Sequence, residues 1–156
     1  MKQYVIVSVD EHDDEGQALY WNNQDGWVRL RVRLSQAEVW DDTEDNLPLG
    51  GRWADLADEK VKLGAAMLDE AYPEWPKLFP VDVSSISNCL LIQVAEKLDV
   101  ELVRRWSDAR DHFFDGADPE ADAGLHGFDM AYYDGLDFEE LQRAWDAAAR
   151  ARGAVF

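Results

Sequence analysis

The hydrophobic period of this chain changes once, at Pro48-Leu49-Gly50-Gly51, from two residues to about 3.6. Everything before that point reads as extended chain. Tyr4–Val9 is β-branched and almost wholly apolar, the pattern of a strand buried on both faces. Ala18–Trp21 is a second short strand, and Asn22-Asn23-Gln24-Asp25-Gly26 a turn in which Asp-Gly supplies the positive-φ position. Trp27–Leu34 alternates strictly: Val28, Leu30, Val32 and Leu34 fall on one face, Arg29, Arg31 and Arg33 on the other. A slip of one residue would bury three guanidinium groups, so the register of that strand is set by the cost of error.

After the break the pattern is helical. Asp55 is placed to cap a helix running to about Ala71, with Ala57, Val61, Gly64, Ala65, Leu68 and Ala71 on one face, and Pro73 and Pro76 end it. Ser87 is placed to cap a second helix with a Leu90, Leu91, Val94 and Leu98 stripe. Asp99 opens a third that buries Leu102, Trp106, Ala109 and Phe113, its wet side carrying the pairs Glu101–Arg105 and Arg104–Asp108. Gly116–Gly124 is polar and rich in breakers, which predicts an exposed loop. Asp137, with Glu140 three residues on, opens the last helix, whose Phe138, Leu141, Trp145 and Ala148 or Ala149 form the apolar side.

A sheet of about three strands is marginal alone, because one face stays uncovered, and the helices need a surface for their stripes. The expected architecture is therefore α+β: a small N-terminal antiparallel sheet packed against three to four C-terminal helices. Residues 1–156 form a single domain, with 1–52 its β-rich part and 53–156 its helical part.

Charge limits what such a domain touches. The chain has 33 acidic and 15 basic residues and a formal net charge of −18. Acids exceed bases in every third of the sequence, so there is no separable acidic tail. An acidic chain with few aromatics would read as disordered, but this one holds seven tryptophans and is 47% hydrophobic. A field of this sign repels DNA, RNA and anionic membrane surfaces and attracts basic partners. High acidity also serves solubility alone. No apolar run is long enough to span a membrane, and the opening residues lead straight into a strand rather than a secretion signal. The single cysteine, Cys89, excludes an intramolecular disulfide and fits a reducing compartment. The expectation is a cytoplasmic protein.

Two segments carry a resemblance. Tyr20-Trp21-Asn22-Asn23-Gln24-Asp25-Gly26-Trp27-Val28, followed by Asn46-Leu47-Pro48-Leu49-Gly50-Gly51-Arg52-Trp53, resembles the N-termini of small uncharacterised bacterial and prophage proteins. Met67-Leu68-Asp69-Glu70, Pro73, Trp75 and Val81–Gln93 are similar to a family of small actinobacterial and actinophage proteins. These have a CVLGQ helix, a later Gly-Phe pair and a C-terminal helix with a tryptophan. Here Cys89-Leu90-Leu91-Ile92-Gln93 stands at that motif, with Ile92 where glycine is usual, and Gly127-Phe128 and Trp145 match the later marks. The resemblance implies phage or prophage origin and carries no function with it.

Four constellations bear on chemistry. Cys89 at a helix start, with His126 or His112 as base and Asp129 to orient the ring, has the residue types of a cysteine-dependent enzyme. A cysteine flanked by leucines is equally a small core residue. The acidic runs Asp10–Glu15, Asp41–Asp45 and Asp118–Asp122 fail the calcium-loop pattern. Counting from Asp41, position six is Asn46 and position twelve Arg52; counting from Asp10, position six is Glu15. No metal and no cofactor is expected. The Arg29, Arg31 and Arg33 stripe is either an anion clamp or the wet face of a strand compensated by neighbouring acids. Among the tryptophans, Trp106 and Trp145 lie on helical apolar faces, while Trp21, Trp27, Trp40, Trp53 and Trp75 sit near turns and prolines. That second group is either core or interface hot spots.

The leading expectation is a non-enzymatic interaction protein, phage or prophage encoded, that binds a basic host protein through Trp21, Trp27, Trp40, Asp41, Asp42 and Trp53. Where the host protein itself binds nucleic acid, this chain acts as a DNA mimic or inhibitor. The alternatives are the Cys89–His126 enzyme and a small-ligand or metal module.

Overall fold

The computed structural model describes residues 2–14, 16–29, 38–85, 88–98, 106–114, 119–129 and 136–156. One antiparallel sheet occupies the N-terminal part, with β1 (Tyr4–His12), β2 (Ala18–Asn22), β3 (Gly26–Val28) and β4 (Gly51–Asp55) in the order β3-β2-β1-β4. The class is α+β. The sheet has a fourth strand that the sequence pattern does not announce, so the helical part begins at residue 56 rather than 53. Gly51-Arg52-Trp53-Ala54-Asp55 contains no β-branched residue; it is extended because it pairs with the apolar centre of β1 from Tyr4 to Ser8. The strand expected over Trp27–Leu34 is present as Gly26–Val28, and Leu30 to Leu34, with Arg31 and Arg33, lie outside the described residues.

The helices are α1 (Leu56–Ala71), α2 (Leu90–Lys97), α3 (Trp106–Phe113), α4 (Pro119–Leu125) and α5 (Phe138–Ala151), with a 3-10 turn at Trp75–Leu78. The described residues thus hold five helices where three to four were expected. The addition is α4, inside the stretch read as a loop. Pro119 suits a first helical turn, where its missing N–H costs nothing, and the alanines after it favour helix.

Three smaller expectations also change. Asp55 does stand at the N-cap of α1, but its side chain makes no cap bond and faces Lys2 and Arg143 instead, each at 3.5 Å. Cys89, not Ser87, is the N-cap of α2; Ser87 lies outside the described residues, as do Asp99 to Arg105. Ala71 and Leu98, placed on apolar stripes by spacing, are exposed because each lies at a helix end beyond the core. At Asp137 the expectation holds, and its carboxylate accepts from the Glu140 N–H at 3.0 Å.

One hydrophobic core joins both parts. Val5, Val7 and Tyr20 of the sheet share it with Leu56, Val61, Leu68, Trp75, Leu90, Leu91, Val94, Leu141 and Trp145. At its centre α1 and α5 pack so closely that Gly64 has no room for a side chain. A Cβ there would overlap the His126 carbonyl oxygen and lie 2.9 Å from Cζ2 of Trp145. The Trp145 indole N–H donates to the Gly127 carbonyl at 2.8 Å, which ties the same loop to α5. Gln142 clasps the segment before α2, donating to the Val81 carbonyl at 2.8 Å and accepting from the Val83 N–H at 3.0 Å. Helices on one side therefore leave the opposite face of the sheet to other groups.

Candidate functional site

Strand alternation divides the sheet into two chemically different faces. Val7 is opposite Tyr20, and the Tyr20 hydroxyl donates to Glu59 of α1 at 3.2 Å, so this parity faces the helices. Burial and the Glu59 carboxylate both push the Tyr20 hydroxyl well above the ordinary tyrosine range. The other parity carries Tyr4, Ile6, Trp53, Trp21 and Trp27. Trp21 and Trp27 are directly opposite one another across β2 and β3 and meet edge to face at 5.2 Å.

A second aromatic group forms beside them. The segment 38–40 lies along the end of the sheet: Glu38 N–H donates to the Trp21 carbonyl at 2.9 Å, and Tyr4 and Trp40 exchange both main-chain bonds at 2.8 and 2.9 Å. Pairing places the Trp40 side chain on the Tyr4 side of the sheet, where its ring meets Trp53 at 5.8 Å and 85°. Tyr4 meets Trp53 at 6.5 Å and 80°. The Trp40 indole N–H is buried and has no hydrogen-bond partner among the described residues.

The acidic run at 41–45 follows at once and is fastened to this face. The Trp53 indole N–H donates to the Glu44 carbonyl at 2.9 Å. The chain then returns over Ile6, where a Cβ on Gly51 would lie 2.8 Å from Ile6 Cγ2 and 3.1 Å from Pro48 Cγ; glycine is required for that approach. Asp41, Asp42, Glu44 and Asp45 are all exposed, and among the described residues none of them makes an ion pair. Asp55, Asp58, Glu140 and Asp69, by contrast, are matched by Lys2, Arg143 and Arg152. Leu47 and Leu49 project from the same loop, Leu49 being 99% exposed, and Val9 beside them is 57% exposed.

The structure therefore brings Trp40, Asp41, Asp42 and Trp53 together, with Trp21 and Trp27 on the same sheet face. Glu44, of the Asp41–Asp45 run, belongs to this surface too, as do Tyr4, Leu47 and Leu49, which the sequence does not mark as site residues. The apolar pair flanking Pro48 was the available signal, since leucine has no packing reason to occupy a turn tip. Trp75, grouped with these tryptophans by its prolines, is instead fully buried and packs edge to face on Trp145 at 5.5 Å.

The other constellations are arranged differently. Cys89 is 4% exposed, and burial raises its thiol pKa above the ordinary value, outweighing the pull of the Ile92 and Leu91 amides, while the Asp129 carboxylate pushes further upward. A nucleophile needs the thiolate and access, and both run the other way here. The His126 ring packs on Phe114 at 5.0 Å. Arg29 pairs with Asp13 at 3.3 Å at the edge of a cavity of 480 Å³, lined also by Tyr20, Leu63, Met67 and His126. Among the described residues no group of three or more histidine, cysteine, aspartate or glutamate side chains is placed to hold a metal ion. No described helix is long and apolar enough to cross a membrane.

Comparison with protein-family models, with curated proteins and with solved structures found no match.

Proposed function

We propose that this chain is a non-enzymatic binding protein that docks a basic partner protein on the outer face of its sheet. The observation that carries this reading is the fastening of four carboxylates that make no ion pair among the described residues, Asp41, Asp42, Glu44 and Asp45, to the Tyr4–Trp40–Trp53 aromatic group by the Trp53–Glu44 hydrogen bond. Unpaired acids attract lysine and arginine, and half-buried tryptophans supply apolar area and cation–π faces to the same side chains. Exposed Leu47 and Leu49 extend that apolar area. The phage or prophage origin implied by the resemblance makes the partner a host protein. If that protein binds nucleic acid, occupying its basic cleft gives DNA mimicry.

Two variants with the same loss of four charges test the reading. One neutralises the loop (Asp41→Asn, Asp42→Asn, Glu44→Gln, Asp45→Asn), and the other neutralises exposed acids elsewhere (Asp14→Asn, Glu70→Gln, Glu96→Gln, Glu139→Gln). The loop variant should lose salt-sensitive capture of basic proteins from a bacterial lysate, and the matched variant should keep it. Equal capture by both would show that the loop is not the site. Competition by duplex DNA for the captured protein distinguishes mimicry from other docking.

A further inference from the structure

The ladder between β1 and β4 fixes which backbone groups of β4 remain available. Leu56 N–H donates to the Gln3 carbonyl and Val9 N–H to the Gly50 carbonyl, both at 2.8 Å, in the register that pairs Val5 with Ala54 and Val7 with Arg52. In an antiparallel ladder, hydrogen-bonded and non-hydrogen-bonded pairs alternate. Arg52 and Ala54 therefore turn their N–H and C=O groups to β1, and Trp53 and Asp55 turn theirs outward. β4 is an edge strand, and among the described residues nothing pairs on its far side. The loop closes the edge at Gly51, whose N–H donates to the Pro48 carbonyl at 3.0 Å. Among the described residues the Trp53 N–H and C=O and the Asp55 N–H have no backbone partner, and these are the groups offered to a partner strand. Along this edge runs a hollow of 330 Å³ lined by Tyr4, Arg52, Trp53, Ala54, Asp55, Asp58 and Glu59.

Resting on the proposed docking of a basic partner, the geometry points to strand addition: an extended segment of that partner pairs with the edge of β4. Residues opposite each other across a ladder share a face. The partner residue that exchanges main-chain bonds with Trp53, and those two positions away, thus lie on the Tyr4–Trp53 side, beside the Asp41–Asp45 loop. Lysine or arginine at those alternate positions would lay its aliphatic stem on the Trp53 ring and reach the unpaired carboxylates with its charge. The intervening positions face Ala54 and Arg52, a like charge for a basic residue, while Asp58 and Glu59 of the same hollow are already engaged by Arg143 and by the Tyr20 hydroxyl and Lys62. The favoured segment is an extended one with lysine or arginine at every second residue and small uncharged residues between.

The test uses the full chain and a heptapeptide of alternating lysine and valine, beside the same peptide N-methylated on its backbone at alternate residues. N-methylation keeps the charge but removes the donors a strand needs. The unmodified peptide should bind at least about 10-fold more tightly and slow hydrogen exchange at the Trp53 amide. Equal binding of the two, or no protection at Trp53, would overturn strand addition while leaving the basic-partner reading intact. Failure of that reading shows separately, in the loop-neutralised variant binding the unmodified peptide as well as wild type. A second variant guards the edge assignment. Asp55→Pro removes the outward N–H at a residue whose φ of −70° already suits proline, and Asp55→Asn removes only the charge. Asp55→Pro should weaken the peptide more than Asp55→Asn does; an equal effect would argue against pairing at this edge.

Discussion

The Trp53 indole N–H and the Glu44 backbone carbonyl are 2.9 Å apart, and this one bond converts an acidic turn into part of an aromatic surface. Its removal should be readable. Trp53→Phe keeps a ring against Trp40 but loses the donor, and a net hydrogen bond is worth about 1 kcal/mol. We expect urea unfolding to show a loss of about 1 to 2 kcal/mol, and amide exchange in residues 41–48 to quicken. Unchanged exchange there would mean that the loop is held by something else.

Gly64 tests the packing of α1 on α5. Alanine is favoured over glycine in a helix by about 1 kcal/mol. Here the added methyl meets the His126 carbonyl and the Trp145 ring, and overpacking costs typically about 1–3 kcal/mol. Gly64→Ala should therefore lower the melting temperature by roughly 2–4 °C for each kcal/mol of net loss. A raised melting temperature would show that the helices separate readily at this point.

Asp69 gives the acid side of the stability profile a specific contributor. Three contacts of 3.0 to 3.3 Å from Arg152 hold its carboxyl below the ordinary range, and the Trp75 indole N–H at 2.9 Å adds to them. A carboxyl whose pKa is lower in the folded state stabilises the fold above its unfolded pKa, and that contribution is lost as the pH falls through the folded one. Both side chains are partly exposed, so the pair is worth no more than about 1 kcal/mol. Asp69→Asn should cost up to that amount near pH 7 in urea unfolding, and the difference from wild type should shrink as the pH falls below the carboxylate range. A constant difference would contradict the assignment.

Cys89 offers a test of the nucleophilic alternative. With the thiol buried and its pKa raised, reaction with a disulfide reagent near pH 8 should be slower than for a free thiol by on the order of 100-fold, and should become fast in denaturant. Rapid labelling of the native chain would revive the enzyme reading.

How much of this was legible in the sequence depends on the range of the interactions. The period over Tyr4–Val9 and the Asp-Gly turn are local, and they gave β1, β2 and the turn between Trp21 and Trp27, though not the contact of the two rings. Asp137 gave the start of α5 for the same reason. β4 was hidden because, Trp53 apart, its residues have little extended preference of their own, and the open side of β1 makes them a strand. In α4 the breakers were visible, but their place in the first turn, where proline is welcome, was not. The candidate surface was half visible. Tryptophan beside aspartate stood out, yet the meeting of Trp40 with Trp53 needs both the Tyr4–Trp40 bridge and the return of the chain over Ile6, and neither leaves a periodic trace.

The central claim, that the outer sheet face with its acidic loop is the docking surface, is tested most directly by the seven tryptophan indole N–H signals in a titration with oligolysine at low salt. The Trp40 and Trp53 signals should shift together and saturably, those of the fully buried Trp75 and Trp145 should stay fixed, and added salt should reverse the change. Shifts centred on Trp106, or spread evenly over all the indoles, or absent at low salt, would contradict it.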